Sequence, residues 1–326
     1  MKRNTLVTVS LLLLTVLFVL PWIISVYPLG IVTEILIYGI FAGSLNLLIG
    51  YTGLVSFGHA AFFGIGAYTA GIFATRISPN IFLSLSAAVV VSLFAALIIG
   101  FFCTRVSGFY FLMLTLAFSQ MVYAIAHQWE SVTGGSNGLS GIPRPQLWSG
   151  FNLQDQKELY YLILLIFLLL LFGLRRFIAS PVGQTLIGIR ENEGRLGAMG
   201  YNTTRYKLLA FVIAGGIGGV AGALYAYFNG FVSPQEIYWT MSGHAIIMVI
   251  IGGAGTLIGP TLGAGFLIIF QSVVSSYTER WSSIVGLSFI AFVIFAPKGI
   301  MGLKSLFKLP LKKEDTKALH KGGEGA

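Results

Sequence analysis

Few side chains in this sequence are equipped for chemistry, and their positions narrow what that chemistry is. His59, His127, His244 and His320 are scattered without ligand spacing, and the single cysteine, Cys103, lies inside an apolar run, so no metal site is expected. Asp155 and Asp315 are the only aspartates, and Glu34 is the only carboxylate set even slightly inside an apolar segment. Proton- and sodium-coupled carriers place ionisable groups inside the membrane, so their usual machinery is not expected here. No GxxxxGK[ST] loop is present to bind phosphate, and no acid–base or nucleophile constellation of an enzyme appears. What remains is neutral and polar. Asn46, Ser56 and His59 lie in and beside the glycine-interrupted stretch GYTGLVSFGHAAFFGIG that begins at Gly50. Such groups can hydrogen-bond a polar solute in an apolar surrounding without trapping it by charge. For His59 a hydrogen-bonded packing role is the competing reading.

The elements that must position these residues follow from composition. The chain of 326 residues is 56% hydrophobic and 10% charged, with mean hydropathy +0.86, whereas soluble domains carry about 25% charge. Runs such as YYLILLIFLLLLF are continuously apolar, which fits membrane helices and not the alternating strands of a barrel. The expected fold is an all-α polytopic transmembrane bundle of about ten spans, within a range of eight to ten. They are placed near 6–26, 31–50, 53–75, 80–103, 108–127, 158–177, 207–230, 242–258, 261–277 and 282–297. Glycine makes 53–75 and 242–258 candidates for broken or re-entrant helices. The start, Lys2-Arg3 before an apolar run, mimics a secretory signal but lacks an A-x-A pattern, and it reads as a retained first helix. With the N-terminus inside, sixteen of the twenty lysines and arginines face the cytoplasm, so both termini are expected there, in the cytoplasmic membrane. The net charge of +9 marks topology, not a nucleic-acid partner.

Residues 1–308 form the expected membrane domain, and 309–326 a polar, disordered cytoplasmic tail. Between spans, TGGSNGLSGIPRP has turn chemistry. The cytoplasmic segment 179–206 differs: Ser180 is a good N-cap, Pro181 suits the first helical position, and Val182, Leu186 and Ile189 share a face. A break is expected at Gly194, Gly197 and Gly200, giving a second short helix. Glycines at four-residue spacing, among them Gly215 with Gly219 and Gly218 with Gly222, predict close helix packing more than a dimerisation face. The paired interruptions at Gly50 and at IGGAGTLIGPTLGAG from Ile251 point to a transport pathway, with close packing alone as the alternative.

Four blocks in order, NLLIGYTGLVSFGHAAFFGIGAYTAG, TGGSNGLSGIP, SPVGQTLIGIRENEGRLGAMGYNTTRYKLLAFVIAGGIGGVAGALYAYFNGFVSP and IGGAGTLIGPTLGA, resemble the branched-chain amino acid ABC transporter permeases over roughly residues 35–300. The second permease of the high-affinity leucine, isoleucine and valine system is the nearer likeness. The resemblance implies a non-enzymatic permease in an importer with a second related permease, two cytoplasmic ABC ATPases and an external solute-binding protein. ATP is then used by partner subunits, and the permease holds no cofactor. It also implies that 179–206 couples to an ATPase, through Arg190, Glu191, Glu193, Arg195 and Gly200. The family loop carries Glu-Ala-Ala before a glycine, whereas here Gly194 and Arg195 follow Glu193. The substrate path is then expected beside the glycine-interrupted segments, lined by Asn46, Ser56 and His59. Related permeases serve urea and short amides, a channel or secondary transporter is the runner-up class, and a membrane enzyme comes third.

Overall fold

A computed structural model describes residues 15–145, 153–295 and 299–306. The chain is mainly helical. Residues 15–23 form α1, which breaks at Ile24 and Ser25. Then come α2 (Val26–Thr52), α3 (His59–Arg76), α4 (Ile81–Cys103) and α5 (Phe109–Gln128). After the short α6 (Glu130–Thr133) follow α7 (Gln156–Ala179), α8 (Pro181–Ala198), α9 (Thr203–Asn229), α10 (Trp239–Gly252), α11 (Gly259–Ser275), α12 (Trp281–Phe295) and α13 (Gly299–Leu306). Each of the ten expected spans overlaps a helix, the first of them from residue 15 on, since 6–14 lie outside the described residues. Five of them, α2, α4, α5, α7 and α9, are long and apolar enough to cross a membrane; α10, α11 and α12 are shorter and apolar. The expected tail at 309–326 lies outside the described residues, as do Lys2, Arg3 and Lys298.

The glycine-rich segments are the irregular ones. Residues 53–58 leave the helix at Gly53, whose φ of 75° closes α2, and α3 starts only at His59. The segment expected as a span at 242–258 is helical only to Gly252, after which Gly253 and Gly255 take positive φ in a turn that leads into α11. One expectation about carboxylates needs correction. Glu34 is not alone, because Glu158 falls in the first turn of α7, where Asp155 caps the helix and acidic groups complement the positive helix end.

Burial sorts the helices. α2 and α9 are the buried members, while α4, α5 and α7 turn large apolar side chains such as Phe94, Met121 and Phe172 outward, as lipid-facing helices must. α9 lies against α2, α3 and α4. A Cβ at Gly222 would overlap the Phe63 carbonyl oxygen, and one at Gly66 the Gly219 carbonyl oxygen, so the α3–α9 approach depends on those glycines. The repeats of four-residue spacing are therefore spent inside the chain. Outside the helices, Leu139–Ser140 (β1) pairs antiparallel with Phe231–Val232 (β2), tying the loop after α6 to the end of α9.

Candidate functional sites: a coupling surface, a buried histidine and a cavity

The segment after α7 folds as its sequence dictates. Ser180 is extended, its Oγ accepts from the Gly183 N–H (3.3 Å), and Pro181 occupies the first turn of α8. Leu186 and Ile189 are buried, with Val182 partly so, which seats α8 across one end of the bundle against α2, α7 and α9. The break comes at Asn192 (φ −160°, ψ 96°), not at the glycines. Asparagine outcompetes glycine there because its Oδ1 accepts from the Arg195 N–H (2.9 Å), capping a second helical piece in which Gly194 and Gly197 are helical. Gly200, with φ of 88°, ends that piece as its own N–H and that of Tyr201 return to Gly197 and Leu196.

Apart from Gly200, the residues expected at the coupling surface divide into two pairs. Arg190, although exposed, and half-buried Glu193 bond to the bundle. Arg190 Nη1 donates to the Gly50 carbonyl at the end of α2, and its stem crosses Gly53. Glu193 Oε1 pairs with Lys207 Nζ (2.5 Å) and accepts from Thr203 Oγ1 (3.0 Å). Lys207 is 3% exposed, so this pair pins the second piece of α8 to the start of α9. Glu191 and Arg195 are exposed, leaving their charges available for a docking partner.

Asn46, Ser56 and His59 are all buried and all bonded within the chain. Asn46, one turn before Gly50, donates from Nδ2 to the Thr256 carbonyl (2.8 Å) and accepts at Oδ1 from the Gly255 N–H (2.9 Å). It thus holds the α10–α11 turn at the spot that Arg190 grips from below. Ser56 Oγ accepts from the Gly58 N–H (3.2 Å) at the start of α3. His59 Nε2 lies 2.7 Å from Ser44 Oγ. The single Ser44 proton goes to the Phe41 carbonyl (2.6 Å), so the imidazole is the donor and Nδ1 is the bare acceptor. Nδ1 has no hydrogen-bond partner among the described residues, and the ring lies between Phe41 and Phe62. The structure brings Ser56 and His59 together at the broken start of α3 and ties Asn46 to a different junction.

At the far end of α2 is a feature that the motifs do not point to. A cavity of about 700 Å³ opens between α2, α10 and α11, with Glu34, Tyr38, His244 and Gln271 among its polar walls and Met241 and Leu267 among its apolar ones. Behind Tyr38, the Tyr225 ring meets it edge-on at 6.0 Å and the Tyr225 hydroxyl donates to Glu236 (2.9 Å). Glu236 sits in the turn between α9 and α10. Burial holds its carboxyl above the ordinary value, with Glu34 adding to the rise and the Tyr225 bond opposing it. The available signal in the sequence is the helical spacing of Glu34 with Tyr38, and of Met241, His244 and Met248. None of Asn46, Ser56 and His59 lines this cavity.

A family model described as branched-chain amino acid transport system, permease component, matches residues 27–295, from the first turn of α2 to the end of α12. The chain belongs to that family. Among branched-chain permeases it is similar to the high-affinity branched-chain amino acid transport system permease protein LivM of Salmonella typhimurium, at 29% identity over 311 residues, 89% of this chain and 73% of that protein. LivM of Escherichia coli K12 is 29% identical over 321 residues, 92% of this chain and 75% of its own length. The LivH permease of the same strain is 24% identical over 291 residues, covering 83% and 93%. No solved structure matches the chain. Family membership and the apolar helices make it a multi-pass membrane permease subunit of the ABC transport class, not itself an enzyme.

Proposed function

We propose that this branched-chain permease works in an ATP-driven importer, passing leucine, isoleucine and valine from an external solute-binding protein to the cytoplasm. The observation that carries the reading is the family match along residues 27–295, which runs through every helix named above as a span except α1. Likeness to both LivM and LivH supports a second, related permease as its partner. Two cytoplasmic ATPase subunits supply the energy, and ATP is their substrate. Sixteen basic residues of twenty on one side support a place in the cytoplasmic membrane with both termini inside. α8 is then the coupling element: Glu191 and Arg195 meet an ATPase, Arg190 and Glu193 carry its motion to α2 and α9, and Gly200 sets the exit of the chain.

The solute passes close to the broken start of α3, where Ser56 and the free Nδ1 acceptor of His59 lie, with Asn46 further along at the α10–α11 junction. The test is uptake of labelled leucine and of urea by proteoliposomes holding both permeases and both ATPases, with binding protein outside and ATP inside. Leucine accumulation that needs both binding protein and ATP is the expected result. Uptake of urea instead, or leucine entry without ATP, would overturn this assignment.

A further inference from the structure

Glu34 is the one charged residue of α2, more than two turns inside a helix that is otherwise uncharged. A carboxylate at such a depth is costly unless a cation or hydrogen-bond donors face it. Among the described residues it has neither an ion-pair nor a hydrogen-bond partner; the ion pair present there is Glu193 with Lys207. What it does face is the cavity between α2, α10 and α11. At about 700 Å³ this cavity has the size of a small-molecule site, for which roughly 300–1,000 Å³ is usual.

The walls are chemically two-sided. Ile31, Met241, Met248 and Leu267 offer aliphatic and thioether surface, and Gln271 and Ser272 offer neutral groups able to donate hydrogen bonds. No lysine or arginine lines the space, and the titratable groups on its wall besides Glu34 are Tyr27, Tyr38 and His244, with Glu236 behind Tyr38. A simple anion has no cation to meet here, and an uncharged amide leaves Glu34 unpaired. We propose that this cavity binds a primary ammonium compound with a branched aliphatic chain: the ammonium sits on Glu34, the chain lies along Met241, Met248 and Leu267, and the carboxylate of an amino acid turns to Gln271 and Ser272. The identity of the amino acid rests on the transport reading above; the ammonium preference rests on Glu34 alone.

The test reads the cavity directly. Ser275→Cys, on the cavity wall but outside the proposed contacts, is introduced in a Cys103→Ser background of the full permease assembly. The rate at which it forms a mixed disulfide with cationic 2-aminoethyl methanethiosulfonate, methanesulfinate leaving, is compared with that for the neutral 2-hydroxyethyl reagent. The cationic-to-neutral rate ratio is expected to fall about tenfold with Glu34→Gln and to survive in Glu34→Asp. The neutral reagent's rate checks that each variant is folded. Millimolar leucine is expected to slow the modification, whereas 4-methylpentanoate, which keeps leucine's skeleton without the ammonium, and urea are not. A ratio unmoved by Glu34→Gln, or protection by 4-methylpentanoate equal to that by leucine, would overturn the site. Leucine uptake by an assembly whose cavity leucine fails to protect removes the site and leaves the transport reading intact. Protection by leucine with no uptake in any complete assembly does the reverse.

Discussion

Lys207 shows how much depends on a single side chain where α8 meets α9. Its ammonium is buried and Glu193 is its ion-pair partner, so Glu193→Ala strands a charge. Because Glu193 keeps 40% of its side chain in contact with solvent, the expected loss is about 1–3 kcal/mol and not the full cost of an isolated buried charge. Replacing Lys207 with methionine in the same molecule removes the stranded charge and should restore most of the loss in a thermal unfolding measurement. A double variant as unstable as the single one would show that the pair does not brace α8. His59 makes the second prediction at this scale. His59→Leu keeps an apolar side chain between Phe41 and Phe62 but removes both ring nitrogens, so leucine uptake should drop while ATPase co-purification stays at the wild-type level. Wild-type uptake would leave His59 as a packing residue. The sequence marks His59 as polar in an apolar setting, but its free Nδ1 follows only from the Ser44–Phe41 bond, which no pattern announces.

Among the elements, α8 was the most readable. Its cap, its proline and its buried face are local features that do not depend on distant parts of the chain, and they are found where Ser180, Pro181, Leu186 and Ile189 place them. The kink was misplaced because glycine is the weaker helix breaker when an asparagine with a free cap acceptor stands two residues earlier. Gly200 supplies a clean test of the exit turn. A Cβ there meets nothing within 4 Å, so Gly200→Val is resisted by its φ of 88° alone, at a cost of about 1–2 kcal/mol. Charge reversal of the outward pair, Glu191→Lys or Arg195→Glu, should weaken ATPase retention about fivefold and steepen its salt dependence without lowering the melting temperature. Unchanged retention in both would remove α8 from the docking surface. The cavity was not readable at this scale, since its walls come from stretches more than two hundred residues apart and only the lone Glu34 stood out in advance.

For the whole molecule, orientation follows from where charge ends up. Asn137 is exposed beyond α5, and Gly197 is exposed on α8 at the opposite end of the bundle. With Cys103 replaced by serine, cysteines at these two positions should label from opposite sides of intact cells, Asn137→Cys from outside. Labelling of both from outside would invert or collapse the topology. The bundle was visible in the apolar runs because a membrane permits so few alternatives, whereas its junctions depend on contacts between distant segments. One such junction has a mechanical result. Arg190 holds the carbonyl of Gly50 while Asn46 holds the α10–α11 turn, so α8 grips the near tips of the three rods whose far stretches wall the cavity. From Gly50 to Glu34 along α2 is about 24 Å at 1.5 Å per residue, so a sideways pull of about 2 Å on the near tip tilts a rod pivoting at its middle by roughly 10°. A stiff helix turns that tilt into a comparable displacement at Glu34, so a nudge at α8 would arrive at the opposite end as a change in the width of the chamber.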